Sequence, residues 1–395
     1  MFSRRLEWLP GENPLGALET RLRALATDFF DLTAGNPTQV GLPARGPAIA
    51  AALADLGVQD YTPFALGDPR AREAVGQDYA RLGASVAPEQ IVLTASSSES
   101  YAWLFKLLCD PGDAVLVPLP SYPLFDYLAG LEGVALRRYQ LAFDGEWHID
   151  WPSLAAAAPG ARAIVVVSPN NPTGSLLKRA EWQRLQALAA AHDLAVIIDE
   201  VFVDYGFAPA PDALGTVAAA ATPAALSFAL GGLSKGAGLP QLKLGWLAAL
   251  GPAPAVQAAL ARLELIADSY LSVATPVARA LPALLALGAE IRVDIRARVQ
   301  HNRAALQAAL GADAPVSWLP CEAGWSAILR LPTVRSDEAW ALTLLQEDRV
   351  LVQPGYFFDL AGLPHLGAPL VISLLTEPRV FATGVARIVA RARAF

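Results

Sequence analysis

The residues able to do chemistry stand at the ends of short apolar runs. Lys235 lies in Gly231-Gly232-Leu233-Ser234-Lys235-Gly236, directly after the apolar stretch 225–230. An amine among glycines and apolar residues is a candidate nucleophile, because desolvation favours its neutral form. A solvated loop lysine is the alternative. Asp199-Glu200 closes another apolar stretch, 194–199. A carboxylate placed there is stripped of water unless a partner meets it. Stretch 90–94 runs into Ala95-Ser96-Ser97-Ser98-Glu99, which opens a helical pattern. Serine hydroxyls and free amides at a helix start make an anion site, or else an ordinary serine cap. Stretch 163–168 ends in Ser168-Pro169-Asn170-Asn171-Pro172-Thr173-Gly174, which by itself marks a turn.

Taken together these four segments are more specific than any one of them. An anion cradle, an amide turn, a buried carboxylate and a glycine-flanked lysine are the parts that a pyridoxal phosphate (PLP) site requires. The lysine forms a Schiff base, the cradle holds the phosphate, and the carboxylate keeps the pyridine nitrogen protonated.

The elements that must position them read as α/β. Short β-branched or apolar runs at 90–94, 114–118, 163–168, 194–199, 225–230 and 244–250 alternate with helical patterns such as 98–108 and 179–192. Near-continuous runs such as Ile164-Val165-Val166-Val167 predict strands covered on both faces. Ligands of such sheets bind beyond the C-terminal strand ends, where all four segments fall. A mostly parallel sheet is expected across 46–275. A smaller α+β domain is expected over 276–395, joined by the N-terminal segment 1–45. It opens with a long helix to about residue 310, whose Arg292, Arg296, Arg298 and Arg303 have solvent-type spacing, and has strands at 326–331 and 369–374.

Composition narrows the function classes. The chain has 395 residues, is 54% hydrophobic and 17% charged, and carries a formal charge of −7; mean hydropathy is +0.37. Disorder is excluded, and an acidic balance argues against nucleic acid as a partner. Cys109 and Cys321 cannot form a disulfide framework, and His148, His192, His301 and His365 have no metal-ligand spacing, so no metal is expected. The uncharged stretch 213–234 is long enough to span a bilayer but is built of Ala, Gly, Thr and Pro, and reads as buried strand plus helix. No apolar run succeeds Arg4-Arg5 as in a leader; a soluble, cytoplasmic protein without membrane association is expected. Arg4, Arg5, Arg21 and Arg23 read as a solvated face. Trp8, Trp103, Trp325 and Phe357-Phe358 read as core, with a substrate pocket as the alternative.

The chain resembles the class I/II (fold type I) PLP-dependent aminotransferases, the aspartate aminotransferase-like family. The resemblance is carried by Asp31-Leu32-Thr33-Ala34-Gly35-Asn36-Pro37, Tyr61 with Gly67 and Arg70-Ala71-Arg72-Glu73-Ala74, and Pro120-Ser121-Tyr122-Pro123. Its most specific parts are Ser168–Gly174, Asp199-Glu200-Val201-Phe202 and Ser234-Lys235. It implies the PLP-transferase fold and transfer of an amino group from an amino-acid donor to a 2-oxo-acid acceptor, with a PLP lyase or decarboxylase as the alternative. It implies Lys235 as the Schiff-base lysine and proton carrier, Asp199 on the ring nitrogen, and Asn171 on the ring oxygen and a substrate carboxylate. Tyr122 would stack on the ring, and Ser96, Ser97 and Ser98 would bind the phosphate. Gly35 would border the substrate, and Tyr61 would reach the phosphate of the neighbouring subunit in a homodimer with shared active sites.

Three positions depart from that pattern. Phe202 stands where the family has a tyrosine donating to the ring oxygen, with Tyr205 a possible substitute. Lys243 replaces a phosphate-binding arginine, keeping the charge but not the planar fork. Val371 stands where an arginine clamps the substrate carboxylate, a pairing worth about 2–5 kcal/mol when water is excluded. A relocated contact from Arg330 or Arg379 is expected, or else a substrate presenting a different group.

Overall fold

The computed structural model describes residues 3, 5, 13–54, 59–208, 211–220, 223–311, 313–360, 363 and 366–395. Arg4, Trp8 and His365 lie outside them. The strands are β1 (Phe30–Asp31), β2 (Ile91–Thr94), β3 (Ala114–Leu119), β4 (Ala135–Phe143), β5 (Trp147–Ile149), β6 (Ala161–Val167), β7 (Ala195–Asp199), β8 (Ser227–Gly232), β9 (Gly245–Leu250), β10 (Ser317–Trp318), β11 (Ser326–Leu331), β12 (Val350–Leu351), β13 (Gln353–Pro354) and β14 (Ala368–Ser373).

Eight of them form one sheet in the order β2-β9-β8-β7-β6-β3-β4-β5. The β8–β7–β6–β3–β4 pairings are parallel, while β9 and β5 run antiparallel to their neighbours. Alternate side chains enter two separate cores. Ile91, Leu93, Ile164 and Val166 pack on one face; Val92, Ala163, Val165 and Phe228 pack on the other with the helices Ser97–Leu108 and Ala253–Asp268. Both faces are thus covered, which is why these strands read as unbroken apolar runs.

A second, four-stranded antiparallel sheet has the order β10-β11-β14-β13, and β1 pairs in parallel with β12. Structure and sequence expectation differ where polarity misleads. Strands β4 and β5 carry no apolar run, because β4 lies near the sheet margin and exposes Arg138. The glycines 231 and 232 are strand, not loop. A Cβ on Gly231 would come within 2.5 Å of the Trp246 indole nitrogen, so only glycine lets β8 lie against that ring.

The helix Thr275–Ala309 is present, but its arginines are not all solvated as their spacing predicts. Arg292 is buried and donates to the Gly236 carbonyl at 3.0 Å, and Arg296 donates to the Asp204 carbonyl at 2.6 Å. Buried Asp204, bonded to Arg81, is the charge that draws them in. Trp103 is core, as expected. Among the described residues no helix is long and apolar enough to cross a membrane, and no cluster of metal-ligating side chains occurs.

Candidate active site

Strands β2, β6, β7 and β8 end at the same sheet edge, and there a cavity of about 460 Å³ opens. Its lining includes Gly35, Ser97, Ser98, Tyr122, Asn171, Asp199 and Lys235. Seven of the residues expected from the sequence are therefore brought together by the topology.

Lys235 sits in the short helix Leu233–Gly236 directly after β8. Its ammonium donates to the Gly35 carbonyl at 3.1 Å and lies 5.2 Å from the Trp325 ring and 5.8 Å from that of Phe202. Burial lowers its pKa below the ordinary lysine value, and among the described residues no carboxylate pairs with it to offset this. The amine is thereby poised to act as nucleophile and base.

Asp199 ends β7. Burial raises its pKa, opposed by hydrogen bonds from the Val201 amide at 3.1 Å and the Tyr101 hydroxyl at 3.0 Å. Among the described residues no cation meets it, so a carboxyl edge without a cationic partner faces the cavity. Tyr101 carries no signal in the sequence beyond its place on the helix that begins at the serine cradle. Tyr101→Phe removes one of two donors holding the Asp199 carboxylate, so its carboxylic-acid infrared band is expected to titrate at higher pH than in wild type. An unchanged titration would show that the phenol does not stabilise the anion.

Its neighbour Glu200 points into the opposite face of the sheet. It accepts from the Thr216 hydroxyl and the Val217 amide, both at 2.7 Å, and burial outweighs them to push its pKa up to about 7. A raised folded-state pKa gives stability that is complete below the unfolded value of 4.5 and is lost as pH rises through about 7. Glu200→Gln is expected to exceed wild-type stability by about 1–3 kcal/mol at pH 8, the gap closing towards pH 4. Urea unfolding across that range measures it; a gap independent of pH would contradict the assignment.

Ser96 caps the helix Ser97–Leu108, taking the Glu99 amide on its hydroxyl at 3.3 Å, while Glu99 reaches back to the Ala95 amide at 2.6 Å. Ser97 and Ser98 then occupy the first turn, where amides have no intrahelical acceptor and the helix dipole favours an anion. Tyr122 lies half-exposed at the cavity margin.

Asn171 is held from the second sheet. Its side-chain oxygen accepts from the Ser326 hydroxyl at 3.0 Å. The two sheets are clasped here because Gly174, at φ +68°, accepts from the amides of Glu322 and Ala323 at 3.2 and 3.0 Å. Glu322 also pairs with Lys178.

Three expected residues stand apart. Ser96 is engaged as a cap and does not line the cavity. Lys243, exposed and left-handed after the turn Pro240–Leu242, is also outside it. Tyr61 is 68% exposed in a separate groove with Arg279. The departures are resolved as well. Phe202 does line the cavity, and Tyr205 does not replace the missing phenol: its hydroxyl donates to the Lys235 backbone carbonyl at 2.7 Å. Val371 lines the cavity, but neither proposed substitute reaches it. Arg330 turns to the Ser317 hydroxyl at 3.1 Å, and Arg379 is exposed at the start of the helix Pro378–Arg393. Neither arginine is thus among the lining residues, and among the described lining residues of this chain Lys235 is the sole cation.

Comparison with known proteins agrees with this geometry. The family profile "Aminotransferase class I and II" matches residues 27–367. The glutamate-pyruvate aminotransferase AlaA of Escherichia coli K12 is 26% identical over 373 residues, covering 91% of this chain and 89% of that protein. The valine–pyruvate aminotransferase of Mycobacterium tuberculosis is 32% identical over 185 residues, 47% of each chain. Alanine aminotransferase from Pyrococcus furiosus superposes with a TM-score of 0.87 at 20% identity, covering 100% of both chains. An E. coli aminotransferase gives 0.86 at 22% identity, covering 100% and 98%. The relatives do not favour the lyase or decarboxylase alternative. With the profile spanning most of the chain and the cavity lying where the fold places it, the protein belongs to the class I and II aminotransferases.

Proposed function

We propose that this aminotransferase exchanges an amino group between an amino acid and a 2-oxo acid with pyridoxal 5'-phosphate as cofactor, held at Lys235. The observation that carries the reading is a buried amine with a lowered pKa sharing one cavity with a buried, cation-free carboxylate. The cavity fits the group in three respects. Ser97 and Ser98 offer first-turn amides and hydroxyls to a phosphate, Asp199 offers an anionic edge to a protonated ring nitrogen, and Tyr122 offers a ring face. Asn171, its oxygen taken by Ser326, has its amide nitrogen left for the ring oxygen.

When bound, the cofactor supplies an aldehyde that takes up the amino group and a ring that withdraws electrons from the donor carbon. Lys235 Nζ attaches the cofactor, then serves as the base that takes the proton from the donor carbon and returns it on the other side of the exchange. Asp199, whose carboxyl accepts from Tyr101 and Val201, would hold the proton at the ring nitrogen. With a cofactor-holding unit at 46–275 and a smaller unit formed by 276–395 and 1–45, the second sheet supplies one wall of the cavity through Ser326, Gln353, Val371 and Ile372. Exposed Tyr61, Phe64 and Tyr122 support a homodimer in which Tyr61 serves the neighbouring cavity. Two free cysteines fit a reducing, cytoplasmic setting.

The test is the visible spectrum of the protein with PLP while single donors are added without acceptor. The expected result is conversion to the aminated cofactor with one equivalent of carbonyl product. Elimination or decarboxylation products in its place would overturn the reading.

A further inference from the structure

Among the described residues of this chain, the part of the cavity wall formed by β14 and its neighbours carries no charge that could meet a carboxylate. Val371 and Ile372 of β14 line it beside Trp325, Phe202 and Phe358. Val371 is buried, paired across the sheet with Ile328 of β11 and Gln353 of β13, so neighbouring strands bring no cation to its level. The polar groups nearby are neutral: Asn171, Ser326, Gln353 and Thr33. The one cationic side chain among the described lining residues, Lys235, is the amine needed for the exchange itself.

An ionised carboxylate seated against this wall would lose water and gain only neutral donors, which does not offset its desolvation. An uncharged amide at the same place has a smaller desolvation cost, which neutral donors and acceptors such as Asn171, Ser326 and Gln353 can meet, and an apolar substituent gains burial. We propose that the site selects its donor through an apolar substituent without a charge clamp, and so accepts primary amines and uncharged amino-acid amides as readily as α-amino acids. The inference rests on the transamination reading of this cavity and specifies its substrate class. The exchange balances with water as the only other participant: the donor carbon loses its C–N bond and a hydrogen and takes its carbonyl oxygen from water, while the 2-oxo acid's carbonyl carbon releases its oxygen as water and takes up the amino group and a hydrogen.

The test compares, without acceptor, the second-order rate constants with which L-leucine, L-leucinamide and 3-methylbutylamine aminate the cofactor, so that only the donor's own carboxylate is read. Their values are expected to agree within about tenfold, because the factor of roughly 30 to several thousand that a buried arginine–carboxylate pair supplies is absent. Val371→Arg is expected to raise the leucine-to-leucinamide ratio at least about 30-fold. Preference of the wild type for leucine by more than about a hundredfold would overturn the inference while leaving transamination intact. Failure of all three donors to aminate the cofactor would defeat the transamination reading, and the inference with it. The wild-type comparison stands whether or not Val371→Arg folds.

Discussion

Lys235→Ala is expected to lower kcat/KM by about 10⁴-fold or more while leaving the fold intact. The loss is large because one atom does two tasks: Nζ attaches the cofactor and moves the proton, and positioned proton transfer alone contributes about 10²–10⁴-fold. The fold survives because, among the described residues, the ammonium has one hydrogen bond, to the Gly35 carbonyl, two ring contacts and no ion pair to lose. Burial disfavours its charge, so alanine relieves a desolvation penalty. The thermal midpoint of the apoprotein is therefore expected to equal or exceed that of wild type. Small primary amines added to the variant are expected to restore part of the rate. A variant that retains more than about a tenth of wild-type activity would remove Lys235 from the chemistry.

Gly174→Ala is expected to produce the largest loss of stability, about 2–5 kcal/mol. Two costs add there. A left-handed φ of +68° disfavours any side chain, and the new Cβ would run into the Ala323 carbonyl oxygen and come within 2.8 Å of Cys321 Cβ. Both obstacles belong to the segment that carries Glu322 and leads to Ser326, so the clasp must open. Activity should fall with it, because Asn171 loses the Ser326 hydroxyl that orients its amide. Gly160→Ala is the matched control: φ is +70° but no atom lies within 4 Å of the added Cβ. It should cost only the backbone strain, about 1–2 kcal/mol. Equal losses at the two positions, read from thermal or urea unfolding, would show that close packing at Gly174 is not what joins the sheets.

The parts of this molecule that are legible in the sequence are those whose physics is local. Strands covered on both faces must be apolar throughout, so β2, β3, β6, β7, β8 and β9 stand out, and the segments just beyond the C-terminal ends of β2, β6, β7 and β8 are where the site forms. Strands β4 and β5 do not stand out, because β5 is a short edge strand that pairs β4 only at 141–143, leaving β4 free to carry Arg137 and Arg138 beyond it. Burial of Arg292 is hidden because its cause, Asp204, lies 88 positions away in the chain. The same distance problem hides Tyr101, which acquires a role only when Asp199 is brought to it across 98 positions. Motif position is a weaker guide than geometry at Ser96, where the local demand for a helix cap takes the hydroxyl. It is also weak at Tyr205, whose hydroxyl is used on the backbone behind Lys235. The absent charge at Val371 is visible in the sequence, but that neither Arg330 nor Arg379 lines the cavity is visible only in the structure.

The most direct measurement of the central claim is to load the protein with PLP, fix the lysine–cofactor linkage with borohydride and locate the adduct by peptide mass spectrometry. The expected result is stoichiometric labelling of the peptide containing Lys235, and none on Lys106, Lys178 or Lys243. Labelling of another lysine, or no labelling while the cofactor binds, would contradict the account.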